Sequence, residues 1–242
     1  MTSQDSTHAD ALVHRLFYVP WTDEVNNFVP GAELGRLVAR DARLPLQVAV
    51  TVENQIPDLL KGVDFVTEKS SGHLGIQARV VVLLHPSLKL LSRALPRDSG
   101  SKAVVVEFPT VPLHGWAAAN GAFNVATREV QAPLGAAEVK LYDRILWNGN
   151  NGWADAAGKR DALHDLRELR AMGLLDKDRL IGFMVSDKGF EAVARLVKLV
   201  DGVLGEQGFG VADGSFFLSG RRQCSSLRTL DSPKVVPTKT MT

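Results

Sequence analysis

The chain has 242 residues, of which 45% are hydrophobic and 23% are charged, and its formal net charge is +1. This balance is typical of a globular protein and excludes a disordered or fibrous chain, while the near-neutral charge excludes a global basic field for nucleic acid. The single cysteine, Cys224, excludes an internal disulfide and a multi-cysteine zinc site. Apolar runs are far shorter than the roughly 20 residues of a membrane helix, and residues 1–6 lack a basic start before an apolar core. We therefore expect no membrane partner, no secretory signal and a cytoplasmic location.

In the first half of the chain, apolar spacing and β-branched content predict two strands between helices. The predicted helices cover residues 8–16, 33–42 and 86–95, and the predicted strands cover 46–52 and 74–84. The polar segment 97–101 is a predicted loop and a soft boundary. It divides an N-terminal region of undetermined role, 1–100, from an α/β core, 101–220, and both regions belong either to one domain or to two. A polar tail follows at 221–242.

In the second half, apolar strands alternate with amphipathic helices. The predicted strands cover residues 102–110, 122–130, 135–142, 180–185 and 211–218, and the predicted helices cover 159–172 and 190–204. Gly173 is placed to end the first of these helices. The alternation predicts an α/β fold with a mixed central sheet flanked by helices.

The predicted strand 135–142 carries Glu138 and Lys140 two residues apart. On a strand these side chains share one face, and a carboxylate beside an ammonium is a possible metal and phosphate site. The alternative is a surface pair on a half-exposed edge, which has little energetic value. The apolar neighbours Val139 and Leu141 favour a buried strand, where unpaired charges are costly without a functional reason.

The order of elements over residues 102–204, with this E-x-K pair on its third strand, resembles the restriction-endonuclease-like superfamily, whose core motif is PD-(D/E)xK. The resemblance implies a restriction-endonuclease-like core in the C-terminal half and a metal-dependent endonuclease that acts on DNA. Glu138 is then a Mg²⁺ ligand, Lys140 positions or activates the attacking water, and Glu107 is a further acidic ligand. Such chemistry needs a metal that lowers the pKa of bound water and an ammonium that offsets developing charge. Many nucleases of this architecture pair, which implies a possible homodimer.

Asn124 departs from the family pattern, because it stands fourteen residues before Glu138, where an aspartate is expected. An amide oxygen binds a hard cation without contributing negative charge. Either Glu107 or Glu129 supplies the missing carboxylate, or the protein is a non-catalytic α/β protein that binds nucleic acid or another protein. A third alternative is an α/β domain of unrelated function in which E-x-K is accidental.

Several residues near this predicted site are candidates for nucleic-acid binding. Lys159 and Arg160 are candidate phosphate contacts, or a solvated helix start. Trp147 and Trp153 flank an Asn-Gly loop and either stack on a base or anchor the loop to the core. His85 lies near a predicted strand end and has no partner that the sequence identifies.

Overall fold

The computed structural model describes residues 13–22, 27–70, 77–111 and 113–206. Within these ranges it contains seven strands and seven α-helices, which follow one another as β1 (Leu16–Val19), α1 (Phe28–Ala42), β2 (Leu46–Val50), β3 (Asp64–Thr67), β4 (Val80–Leu84), α2 (Leu88–Ala94), β5 (Lys102–Val106), α3 (His114–Ala119), β6 (Phe123–Asn124), β7 (Glu129–Val130), α4 (Ala136–Asn148), α5 (Ala156–Ala171), α6 (Lys177–Val185) and α7 (Phe190–Gly205). Two short 3₁₀ helices lie between β2 and β3, at Glu53–Gln55 and Asp58–Leu60.

The strands form one sheet in the order β3-β2-β4-β5-β1-β6-β7. All neighbouring strands are parallel except β6 and β7, which form an antiparallel hairpin. The predicted α/β fold, with a mixed central sheet flanked by helices, is therefore confirmed. Strands β1 to β4 precede residue 100, so both predicted regions contribute to this sheet. The more specific restriction-endonuclease-like core stays a prediction.

The sheet is buried on both faces, as parallel sheets generally are. Along β5, Val104 and Val106 face the layer that contains α1, whereas Ala103 and Val105 face the layer built by α2 to α7. The alternation follows from the two-residue period of a strand. Helix α1 packs very closely, because a Cβ on Gly35 would lie only 2.1 Å from Cγ2 of Val82. None of the described helices is both long enough and apolar enough to cross a membrane.

Most of the predicted elements are confirmed with shifted bounds. These are the helices at 33–42, 86–95, 159–172 and 190–204, and the strands at 46–52, 102–110 and the described part of 74–84. Helix α1 begins earlier than predicted, because Pro30 falls in its first turn, where a missing N–H costs nothing. Most of the predicted helix 8–16 lies outside the described residues, and Leu16 at its end belongs to β1. The predicted strand 211–218 also lies outside the described residues.

The predicted strand over residues 135–142 is wrong, because this segment lies in helix α4. Its buried residues Glu138, Leu141, Tyr142 and Ile145 have the spacing i, i+3, i+4 and i+7 of one helix face. Two alanines in the first turn add high helix propensity. The E-x-K pair therefore stands on a helix.

Two further strand predictions are wrong. Residues 180–185 belong to helix α6, which Asp176 caps by accepting a hydrogen bond from the backbone N of Arg179 at 3.0 Å. Residues 122–130 form two short strands, β6 and β7, joined by a turn in which Arg128 has a positive φ of 61°. A single long strand cannot include a left-handed residue at this point.

Candidate functional site at the carboxyl edge of the sheet

The parallel strands present their carboxyl ends at one side of the sheet, which we call the carboxyl edge. The first residues after β2, β3, β4 and β5 are Thr51, Glu68, His85 and Glu107, and all four carry polar side chains. In open α/β sheets, ligands bind at this edge, above all where neighbouring strands send the chain to opposite faces. Strands β1 and β5 are such a pair, because α1 follows β1 on one face and α3 follows β5 on the other.

Glu107 fills the crevice between β1 and β5. Its Oε2 accepts hydrogen bonds from the Tyr18 hydroxyl at 2.7 Å and the Trp21 backbone N at 2.9 Å, and its Oε1 accepts one from the Leu113 backbone N at 2.6 Å. The side chain is 8% exposed. Burial and the adjacent Glu107 carboxylate raise the pKa of Tyr18 far above its usual range, so this hydroxyl stays a donor. The carboxylate thus ties together the segments that leave β1 and β5.

Asn27 is oriented by the same crevice. Its Nδ2 donates to the backbone oxygen of Glu107 at 2.9 Å and to that of Pro20 at 3.1 Å, with Val19 O at 3.4 Å. Three carbonyl oxygens around one side-chain atom identify that atom as the amide nitrogen. The amide oxygen, Oδ1, therefore points the other way and lies 3.2 Å from Nε2 of His85.

His85 is held at the start of the loop after β4 with a positive φ of 49°. Its ring lies among three aromatic rings, with centroid distances of 4.8 Å to Phe108, 4.9 Å to Phe28 and 6.1 Å to Trp21. Burial lowers the pKa of His85 below its usual value, so the imidazole is neutral near pH 7. A left-handed, partly buried histidine is a strained arrangement of the kind found at functional sites.

The tautomer of His85 follows from its contact with Asn27. Because Oδ1 of Asn27 can only accept a hydrogen bond, Nε2 carries the single proton of the neutral ring. Nδ1 then carries a lone pair, and it has no hydrogen-bond partner within the described part of the chain. The carboxyl edge therefore offers a half-buried acceptor, which is also a base, inside an aromatic surround.

The other polar groups of the edge are bonded to each other. Glu68 accepts a hydrogen bond from Ser87, whose Oγ also accepts one from the Leu90 backbone N at 3.2 Å and caps α2. Thr51 Oγ1 lies 3.4 Å from the carbonyl oxygen of His85. These contacts fix the loop that presents the imidazole.

A cavity of about 350 Å³ lies on the side of the sheet that α2 to α7 cover. Its lining is mainly apolar and comes from Leu88, Leu91, Thr110, Val111, Leu113, Trp116, Lys177, Asp178, Ile181, Gly182 and Val197. The charged lining residues are paired, since Lys177 binds Asp201 at 2.6 Å and Asp178 lies 3.6 Å from His114. The segment after β5 supplies Phe108 to the aromatic surround of His85 and Thr110 to this cavity. Its volume is in the range of small-molecule sites.

Glu138 and Lys140, the predicted metal ligand and ammonium, do not share a face. Glu138 lies in the first turn of α4, where Oε2 accepts a hydrogen bond from the Gly135 backbone N at 2.7 Å and Oε1 lies 3.4 Å from Nε of Arg179. Lys140 is exposed, and two residues along a helix rotate a side chain by about 200°. The predicted common face is therefore wrong, because it required a strand.

Of the other candidate metal ligands, two have protein partners and the third is exposed. Asn124 Oδ1 accepts a hydrogen bond from the Ala126 backbone N at 2.9 Å in the β6–β7 turn, and Glu129 is exposed on β7. Glu107 binds three donors in the β1–β5 crevice. As placed, these donor atoms do not fit a Mg²⁺ coordination shell, which needs several oxygens directed at one point. Mg²⁺ binding stays a prediction.

One cluster among the described residues brings three metal-ligating atoms within 4.8 Å, and it comprises His164, Asp165 and Glu168. Both carboxylates already pair with Arg144, whose Nε lies 2.8 Å from Asp165. Asp165 also accepts a hydrogen bond from Asn148 at 3.2 Å. This cluster joins α4 to α5, and its contacts explain its acidic character.

The predicted nucleic-acid contacts lie on two consecutive helices, α4 and α5. Lys159 and Arg160 are exposed near the start of α5, and Nε of Arg160 lies 3.7 Å from Oδ1 of Asp161. Trp147, at the end of α4, is 83% exposed, whereas Trp153 is fully buried and anchors its loop. The sequence left both roles open for these tryptophans.

Comparison with models of protein families, with curated proteins and with solved structures gives no match to this chain. The resemblance to the restriction-endonuclease-like superfamily therefore stays a prediction that rests on the sequence. Sequence reasoning missed Asn27 and left His85 without a role. For His85 the available signal was a polar residue directly after the apolar run of β4, at the end of a parallel strand, where α/β proteins bind ligands.

Proposed function

We propose that the protein binds a small, flat ligand at the carboxyl edge of its sheet. The ligand presents a hydrogen-bond donor to Nδ1 of His85 and an apolar surface to the rings of Trp21 and Phe108. The observation that carries this proposal is the Asn27 contact, which fixes the neutral His85 ring with its Nδ1 lone pair away from Asn27.

Three physical features support a small ligand at this edge. Open α/β proteins bind ligands beyond the carboxyl ends of their parallel strands, where neighbouring strands connect to helices on opposite faces of the sheet. Few polar groups and several aromatic surfaces are the usual lining of small-molecule sites. Nδ1 of His85 is a half-buried acceptor without a partner among the described residues, so a ligand that donates a hydrogen bond to it gains affinity there.

A matched pair of heterocycles tests the proposal directly. Benzimidazole carries a ring N–H, and 1-methylbenzimidazole lacks it at nearly the same size. In protein-detected NMR titrations, benzimidazole should shift the indole signal of Trp21 and the ring signals of His85, and it should bind about 2- to 10-fold more tightly than the methylated compound, the value of one hydrogen bond.

Two histidine variants test whether the His85 imidazole is responsible, and the control is the surface residue His164. His85→Asn removes the imidazole but tolerates the left-handed backbone, because asparagine adopts positive φ readily. It should abolish the difference between the two compounds, whereas the exposed His164→Asn should preserve it. Equal binding of both compounds to the wild type, or shifts confined to other regions, would contradict the proposal.

Metal-dependent cleavage of DNA is a separate proposal, supported by the sequence resemblance alone. It predicts that supercoiled plasmid is cut in Mg²⁺ or Mn²⁺ but not in EDTA, that Lys140→Ala abolishes cutting, and that Asn124→Asp increases it. Cutting that persists in Lys140→Ala would refute the assigned role of the lysine. The proposed homodimer is tested by sedimentation of the same samples.

A further inference from the structure

Trp147 is the most exposed large apolar side chain of the described residues, with 83% of its surface accessible. It stands in the last turn of α4. The other described tryptophans are better covered, and Trp116 and Trp153 are almost completely buried. Burial of the core does not require an indole at position 147, and exposed aromatic side chains are enriched at interaction sites.

Two carboxylates lie beside this indole without counterions. Asp143 is one helical turn before Trp147 on α4, and Asp187 is in the turn between α6 and α7. Both line the same open depression of about 610 Å³ as Trp147. Neither side chain makes a hydrogen bond or ion pair with any other described residue. Most other acidic side chains near these helices, such as Glu168 and Asp201, are paired.

Lys188 also lines the depression, but its ammonium lies 5.9 Å from the ring centroid of Trp153. It therefore makes a cation–π contact with the buried indole. Two carboxylates against one ammonium leave the depression with an excess of negative charge. A phosphate backbone would be repelled, whereas a cation would be attracted from both sides.

We propose that this depression binds an arginine side chain of a partner protein. A guanidinium is flat, so it stacks on the indole of Trp147, and its fork of donors matches carboxylates such as Asp143 and Asp187. A lysine ammonium offers neither the flat surface nor the fork. This arginine site is separate from the ligand site at the carboxyl edge. It recognises a positive charge, whereas the predicted nucleic-acid role of Trp147 requires binding to negatively charged nucleic acid.

The test uses the full chain and a capped Gly-Arg-Arg-Gly peptide, with a peptide that carries citrulline in place of both arginines as the control. Citrulline keeps the shape and removes the charge. Calorimetric titration should show the citrulline peptide binding at least about tenfold more weakly, because both the cation–π contact and the charged hydrogen bonds are lost.

Variants then locate the binding site. Trp147→Ser, and separately the pair Asp143→Asn with Asp187→Asn, should each weaken the arginine peptide about tenfold without changing thermal unfolding. Asp64→Asn, an exposed carboxylate on β3, should leave binding unchanged. Equal binding of both peptides, no saturable binding, or an equal loss in Asp64→Asn would overturn the inference. Saturable binding of oligothymidine that Trp147→Ser removes would also overturn it, in favour of a nucleic acid.

Discussion

Replacement of Glu107 by glutamine separates a structural carboxylate from a metal ligand. The side chain keeps its size, but one carboxylate oxygen becomes an NH₂ group. Wild-type Glu107 accepts three hydrogen bonds, from Tyr18, Trp21 and Leu113, at 2.6 to 2.9 Å. All three partners donate, so an amide nitrogen at either oxygen position faces at least one donor.

The cost can be estimated from these contacts. The best placement keeps the amide oxygen where Oε2 accepts from Tyr18 and Trp21, and it sets the NH₂ group against the Leu113 N–H. One hydrogen bond to a charged group is lost, and a buried N–H is left unpaired, so the free energy of unfolding should fall by about 2–4 kcal/mol. The two remaining hydrogen bonds also lose their charge.

Urea unfolding followed by far-ultraviolet circular dichroism measures this cost without added metal. Glu129→Gln on β7 is the matched control, because that carboxylate is exposed and should cost less than about 0.5 kcal/mol. If Glu107 were only a metal ligand, its neutralisation in metal-free buffer would leave stability unchanged or raise it. A loss no larger than that of Glu129→Gln would therefore refute the structural role.

Three further predictions concern other residues. Folding favours the neutral imidazole of His85, so its stabilising contribution is complete above the unfolded pKa of about 6.5 and is lost as the pH falls through the lower folded pKa. In urea unfolding over a pH series, the free energy of unfolding should therefore fall less steeply with acidification in His85→Asn than in the wild type. An identical fall in both proteins would contradict the burial effect. A Cβ on Gly182 would lie 2.3 Å from the Trp116 backbone N, so Gly182→Ala should lower the free energy of unfolding by roughly 1–3 kcal/mol. A Cβ on Gly202 has nothing within 4 Å, so Gly202→Ala should raise it by about 0.5–1 kcal/mol. Changes of the same sign in both variants would contradict the close helix contact. Glu138→Gln should lower the free energy of unfolding by about 1–2 kcal/mol in metal-free buffer, because it weakens the cap and the Arg179 pair. No loss of stability in urea unfolding without metal would contradict this structural role, whereas a Mg²⁺-dependent rise in the wild-type Tm that the variant lacks would support the separate nuclease proposal.

The sequence predicted the fold class because the strongly apolar strands and the amphipathic helices differ in period. Strands β2, β4 and β5 are short, mostly apolar segments that contain several valines, and α7 shows a continuous apolar face. These patterns arise from burial on two faces and on one face, respectively. They are visible without knowledge of the neighbours.

The errors at α4 and α6 have a common physical origin. Both helices pack in the helical layer and bury residues in short apolar clusters, such as Leu180, Ile181, Met184 and Val185 in α6. A short buried helix and a buried strand look alike when few polar residues interrupt the run. In α4 the buried residues have the spacing of a helix face, whereas Glu138 and Lys140, two residues apart, fit the period of a strand.

The candidate site depends on contacts that no local pattern contains. Asn27 and His85 are 58 residues apart, and Glu107 lies 89 residues from Tyr18. They meet because β1, β4 and β5 are neighbours in a parallel sheet whose order differs from the order of the chain. The sequence showed polar residues after apolar runs, but only the strand order shows which of them share a crevice.

Ligand binding at the carboxyl edge, as proposed, requires that Asn27 fixes the His85 ring with a proton on Nε2 and a lone pair on Nδ1. Long-range ¹H–¹⁵N correlation spectra of the protein labelled in its histidine rings measure this tautomer, and His85→Asn assigns the signals. Near neutral pH, Nε2 of His85 should appear protonated and Nδ1 unprotonated, and Asn27→Ala should let the two tautomers mix. A proton on Nδ1, or on both nitrogens, in the wild type would contradict the account.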